Sequence, residues 1–214
     1  MKTAINRISA VCLLVLAPTA AMASMTPVLQ SVAASAGGFL WTYNVQAASD
    51  QNITSGTAPT VNPVGFSAGL GGVASFITFY DIFGYTGLCS GPTGWTCTAQ
   101  NTGFDPFNVT PTDDVSILNI TFSNTSGVDI NGNPVTNVGN DLGSFTVESL
   151  YSLPSQVSYS ALAIKNSGSE IGSAASNVGF TAGPRGPNPV PEPGTLALMA
   201  MGLGLAGVIG RKRR

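Results

Sequence analysis

Histidine is absent from all 214 residues. Imidazole acid–base catalysis, Ser–His–Asp triads and His-ligated zinc are therefore excluded. Charge is scarce too: Asp, Glu, Lys and Arg make up 8% of the chain, where globular proteins carry about 25%. Such a chain has no basic stripe with which to hold nucleic acid, and its surface does not suit a cytosolic enzyme. Cysteine occurs three times, at Cys12, Cys89 and Cys97. No fixed-period repeat is present, which argues against a β-helix or other solenoid. Capped helical periodicity is missing from the middle of the chain. In its place are 26 Gly, 14 Pro and frequent Ser, Thr and Asn, a mixture that favours strands and turns over helices.

The two ends are distinctive. Lys2 and Arg7 give a positive start, followed by the apolar run ISAVCLLVLA over residues 8–17 and then Pro18. Ala21-Met22-Ala23 next supplies the small-x-small pattern a signal peptidase accepts, so residues 1–23 read as a secretory signal cleaved after Ala23. The apolar run is too short to cross a hydrocarbon core of about 30 Å as a helix. Cys12 lies inside that run and not directly after a cleavage point, so it is no lipoprotein cysteine. At the other end, residues 184–193 read PRGPNPVPEP, an extended, partly polyproline II spacer. Residues 195–210 are uncharged and predict a single transmembrane helix of about 24 Å. Arg211, Lys212, Arg213 and Arg214 close the sequence as a basic stop-transfer cluster that stays in the cytoplasm.

Val190-Pro191-Glu192-Pro193-Gly194, a short Gly-rich apolar helix and a basic tail, in that order, resemble the PEP-CTERM sorting signal of Gram-negative bacteria. The same segment is also known as an ice-binding protein C-terminal domain, a label for the tail and not for what precedes it. The resemblance implies recognition by an exosortase, an integral-membrane cysteine protease, with Pro191, Glu192 and Pro193 as the recognition residues. It also implies export, processing, and association with exopolysaccharide or the cell surface. Two prolines hold Glu192 on a stiff extended strand, a form suited to a protease groove.

Residues 24–183 are long enough for one sizeable core. They carry one cation, Lys165, against nine carboxylates, a net charge of −8, which disfavours nucleic acid and anionic membranes as partners of this region. Alternation at period two recurs. Phe39, Trp41, Tyr43 and Val45 share one face. Residues 76–83 are apolar on both faces, as in a central strand. Leu118, Ile120 and Phe122 form a third set, Phe145, Val147 and Tyr151 a fourth, and residues 157–164 a fifth. Gly71-Gly72, Asn131-Gly132, Asn133-Pro134 and Leu153-Pro154 mark turns. This predicts an all-β fold, a single antiparallel β-sandwich of jelly-roll-like form, flanked by the signal helix and the transmembrane helix. Residues 184–190 are then a Pro-rich linker and residues 190–214 the sorting segment. In an oxidising compartment Cys89 and Cys97, on either side of SGPTGWT, are expected to form a disulfide.

Carboxylates are the remaining chemistry. Asp113-Asp114 reads as a solvated strand start whose side chains diverge. Asp129-Ile130-Asn131-Gly132-Asn133 begins like a calcium loop, but Pro134 and Asn140 stand where Gly and Glu belong, and an Asn-Gly hairpin turn explains it more simply. Asp81 sits in an apolar run. Paired with Glu148 it would suit glycoside hydrolysis; at a strand end it would bind backbone N–H groups. Tyr80-Asp81-Ile82-Phe83-Gly84 partly resembles a stretch of other exported PEP-CTERM proteins, which implies the structural role. Asn52, Asn108, Asn119 and Asn124 fit glycosylation sequons that so Asn- and Thr-rich a chain produces by chance. No catalytic residue, metal or cofactor is expected. The chain reads as a non-enzymatic exported surface or matrix protein whose partners are signal peptidase, exosortase, the inner membrane and exopolysaccharide. A carbohydrate-binding or adhesion module using Trp95, and a carboxylate hydrolase, are the alternatives.

Overall fold

Period-two alternation puts every second side chain of a strand on one face, and the second strand shows the result directly. Trp41, Tyr43 and Val45 are fully buried, while Thr42 and Asn44 are only half-buried. The computed structural model describes residues 24–65 and 72–187, and over them the chain is all-β with no α-helix. Eleven strands follow in order: β1 (Met25–Ser35), β2 (Gly38–Ala47), β3 (Gln51–Ile53), β4 (Phe76–Phe79), β5 (Tyr85–Ser90), β6 (Trp95–Gln100), β7 (Asn119–Asn124), β8 (Ile130–Asn131), β9 (Asn140–Ser149), β10 (Pro154–Lys165) and β11 (Ala174–Pro184). Strands β1-β2-β9-β5 make a four-stranded sheet. Strands β6-β7-β4-β10-β3-β8, with β11 also paired to β10, make a seven-stranded one. All pairings between these strands are antiparallel.

One hydrophobic cluster joins the sheets: Trp41, Tyr43, Val45, Phe145 and Val147 from the first, Ile77, Phe79, Ile120, Phe122 and Tyr159 from the second. Rings make the joint. Tyr43 lies 4.7 Å from Phe79 and Phe122 lies 5.1 Å from Phe145, centroid to centroid. The seven-stranded sheet is also covered on its outer face. Val64, Phe76, Leu162 and Ile164 form a second cluster there, with Val73 and Phe104 packed against it. All four residues of β4 are buried, as an apolar central strand requires. The sheets are unequal, and β1–β2 and β10–β11 are hairpins within a sheet. The architecture is thus all-β with two antiparallel sheets, as expected, and differs from a jelly roll in its unequal sheets and in-sheet hairpins.

Several strand limits differ from the alternation pattern, for local reasons. Strand β4 ends at Phe79, and the run over 76–83 leaves the sheet after Tyr80, whose N–H still donates to the Ser158 carbonyl, because Asp81 takes φ 55°, outside the extended region. Val115 and Leu118 lie outside β7, because Asp114 accepts from Ser116 and Ile117 and folds a turn ahead of the strand. Tyr151 lies past the end of β9. Asn131-Gly132 is no hairpin turn: Asn131 pairs with Asn52, and the chain reverses instead between Asn133 and Val138. The Asn133 carboxamide oxygen accepts there from the N–H groups of Val135 and Thr136.

The two lateral seams between the sheets are closed by different means. On one, Cys89 of β5 and Cys97 of β6 form a disulfide with Cα atoms 6.3 Å apart. On the other, the Asn177 carboxamide of β11 takes the place of a missing strand. It accepts from Met25 N–H at 3.3 Å and donates to the Met25 carbonyl at 3.0 Å. Reduction, or Cys89→Ser with Cys97→Ser, should lower the unfolding free energy by about 2.5 kcal/mol, the loop-closure value for so short a loop. Urea unfolding with and without reductant measures it. An unchanged midpoint would mean that the aromatic core alone holds the seam.

Candidate functional site

Three groups of residues emerge from the sequence: the carboxylates, the Trp95 loop, and the two ends where the chain enters and leaves the β domain. The structure separates the carboxylates. The Glu148 carboxylate, on β9, accepts hydrogen bonds from Ser35 Oγ at 2.5 Å and Thr86 Oγ1 at 2.6 Å. These bonds, with a backbone bond at Gly37, hold its carboxyl below the usual carboxylate range. A Cβ on Gly37 would lie 2.4 Å from Glu148 Oε2, so glycine is what lets the β1–β2 turn close over the carboxylate. Asp81 has other partners: its carboxylate accepts from Asp114 N–H at 2.8 Å, and its own N–H donates to Asn119 Oδ1 at 2.8 Å. Burial pushes the Asp81 carboxyl up, and the nearby Asp113 and Asp114 charges add to this. Asp81 and Glu148 thus share no hydrogen-bond partner.

The other acidic positions are likewise occupied with backbone and amide groups. Asp113 and Asp114 lie in a loop and not at a strand start, and their carboxylates diverge to Asn119 and Gly103 on one side and to Ser116 on the other. Asp129 accepts from Ser55 N–H, and with Asn133 turned to its own loop no calcium loop forms from 129–133. No cluster of His, Cys, Asp or Glu suited to a metal exists among the described residues. Asn119 and Asn124, of two sequons, are fully buried. Trp95 is no exposed platform: it is half-buried, edge-on to Phe145 at 4.9 Å. Two aromatics are exposed among the described residues, Phe107 at 48% and Phe180 of β11 at 60%, the latter beside a groove of about 510 Å³ lined by Pro154, Ser155, Gln156, Thr181 and Ala182.

At the entry end, Ser24 and Met25 are buried, so β1 begins directly after the expected cleavage point. At the exit end, Arg185 N–H donates to the Leu153 carbonyl at 2.7 Å, which carries the β10–β11 register one residue past Pro184. Gly186 then passes so close to Phe83 that a Cβ would meet the ring at 2.4 Å. A groove of about 250 Å³ lies here, lined by Phe39, Leu150, Tyr151, Leu153, Arg185 and Pro187 among others. Only Leu153-Pro154, read as a turn, hinted at this feature in the sequence. The exit places the sorting residues: from Pro187 to Pro191 the chain spans at most about 14 Å even fully extended.

Ala21 and Ala23, Pro191, Glu192 and Pro193, the 195–210 run, and Arg211, Lys212, Arg213 and Arg214 all lie outside the described residues. Among those described, no helix is long and apolar enough to cross a membrane.

Linkage makes the Glu148 cradle testable. A carboxyl depressed by folding stabilises above its unfolded pKa, and that stability fades as pH falls through the folded value. The stability gap between wild type and Glu148→Gln should therefore be largest at neutral pH and shrink below about pH 4, near the ordinary Glu pKa. Urea midpoints across pH 3–7 check it; a gap that does not change with pH would remove the charge from the account.

No curated protein and no solved structure matches the chain. The model of the PEP-CTERM protein-sorting motif matches residues 189–214. The chain thus carries a PEP-CTERM protein-sorting motif in the residues that follow β11; proteins with this motif are exported and sorted to the cell surface, and the motif implies an exosortase as processing partner.

Proposed function

We propose that the chain is a non-enzymatic surface or matrix protein, a two-sheet β-sandwich delivered outside the cell by its C-terminal segment. The observation that carries this is the sorting-motif match over residues 189–214, immediately after a domain that ends at Pro184. In this reading signal peptidase cuts after Ala23. Residues 195–210 then hold the precursor in the inner membrane, with Arg211, Lys212, Arg213 and Arg214 in the cytoplasm. Glycines in the apolar run permit close approach of another helix, which suits a segment handed to an intramembrane protease. One observation supports a non-enzymatic role: Asp81 and Glu148 have separate hydrogen-bond partners. Exopolysaccharide is the proposed contact at the destination. Phe180, exposed beside its groove, favours a carbohydrate-binding variant of this role. A glycan array on the mature protein and on Phe180→Ala tests that variant: saturable binding lost in Phe180→Ala supports it, and no binding sinks it.

Sorting has its own test. Glu192→Ala should leave export intact while unprocessed precursor accumulates in the inner membrane. Removal of residues 211–214 should weaken the stop-transfer, so that precursor leaks into the periplasm. Cell fractionation with an antibody to the β domain reads both. If each variant reached the surface at normal mass and amount, the sorting function would be wrong.

A further inference from the structure

The turn between β9 and β10, where the chain passes from one sheet to the other, exposes two leucines, Leu150 at 60% and Leu153 at 62%. This exposure does not come from a loose loop. Leu150 N–H donates to the Gly84 carbonyl at 2.9 Å and Tyr151 N–H to Ser149 Oγ at 3.1 Å. The Tyr151 carbonyl accepts from Trp41 Nε1 at 2.9 Å, and the Leu153 carbonyl accepts from Arg185 N–H. Four hydrogen bonds thus fix the backbone while its apolar side chains face out, around the groove they share with Phe39. Arg185, on the same groove, is exposed, and no salt bridge engages it among the described residues. The carboxylates of this end are occupied, Glu148 by hydroxyls and Asp81 by a backbone N–H.

The chain leaves from this same end, and its remaining length limits what can lie there. From Pro187 to Thr195, where the apolar run starts, it reaches at most about 28 Å. Strand β10, with 12 residues, is about 40 Å long. A tether shorter than the domain keeps the exit end toward whatever holds residues 195–210. We infer that Leu150, Leu153 and Arg185 form a membrane-contact surface, the leucines entering the boundary between headgroups and acyl chains and Arg185 meeting lipid phosphate. The inference rests on the proposal that residues 195–210 span the bilayer. The net charge of −8 over residues 24–183 repels an anionic surface, so the contact is confined to this end. Here rigid apolar side chains stand beside a cation, as an interfacial contact requires, and a guanidinium is matched to phosphate. Such a contact fixes how the domain stands on the membrane, and so the height at which Pro191-Glu192-Pro193 is offered for cleavage.

The test uses the full chain in vesicles of phosphatidylethanolamine and phosphatidylglycerol. A benzophenone amino acid is placed singly at Leu150, Leu153 or Val135; Val135 is 93% exposed on the turn at the opposite end. Flotation reports the anchor, and mass analysis of the photoproducts reports the contact. The inference requires several-fold more lipid adduct at the 150 and 153 positions than at 135, reduced by Arg185→Glu. Flotation with equal adducts at all three positions, or with adducts only to protein, overturns the membrane surface and leaves the anchor standing. Failure to float overturns both.

Discussion

The contact of Tyr43 with Phe79 and of Phe145 with Phe122 across the gap between the sheets is the interaction on which the rest depends. Each sheet is hydrophobic on its inward face and cannot stay folded with that face in water. Among the described residues the four-stranded sheet has no second hydrophobic cluster on its other face, so its stability rests on this joint. The seven-stranded sheet has its own outer cluster around Phe76 and Leu162. Lateral seams add to the joint without replacing it, one covalently at Cys89–Cys97 and one through the Asn177 carboxamide.

A chain so poor in charge must satisfy its buried backbone and close its loops with neutral groups. Hydroxyls and carboxamides do this throughout. Thr78 and Thr121 hydroxyls meet at 2.8 Å, Ser149 Oγ donates to the Phe83 carbonyl at 2.5 Å, and Asn124 Nδ2 donates to the carbonyls of Ile53 and Val128. Tyr80 Oη, 2.5 Å from the Asp105 carboxylate and 2.7 Å from Ser160 Oγ, holds the 101–107 segment on the sheet. The single salt bridge among the described residues is Lys165 with Asp50, 2.5 Å apart. Burial tends to raise the Asp50 carboxyl, and the hydrogen bonds from Lys165 and Gln51 bring it below its usual value. The Ser, Thr and Asn richness that reads as turn propensity in the sequence thus serves largely as internal hydrogen bonding in the fold.

Function and stability are divided along the chain. The sorting motif occupies a short terminal segment, residues 189–214, whereas the β domain ends at Pro184 and sets where that segment emerges. Gly186 against Phe83 and Arg185 on Leu153 fix the exit to within a residue or two. A domain lacking those contacts would release the same motif on a longer and looser leash.

What the sequence determined by itself is whatever depends on local order. The Pro-Glu-Pro triplet, the apolar run and the basic end are contiguous, so their pattern survives without a fold. The inward faces of β2, β7 and β10 follow from period-two alternation, and the Cys89–Cys97 pairing from short separation. Tertiary structure alone decided how remote groups meet. Glu148 finds Ser35 and Thr86, Asn177 finds Met25, and Asp81 finds Asp114 and Asn119. Trp95 turned inward because Phe145 lies across the seam from it. Leu150 and Leu153 came out on one groove with Arg185 because β9 and β10 belong to different sheets. None of these pairings carries a sequence signal, since each depends on register and on which strand crosses between layers, and those are set by the packing of the whole core.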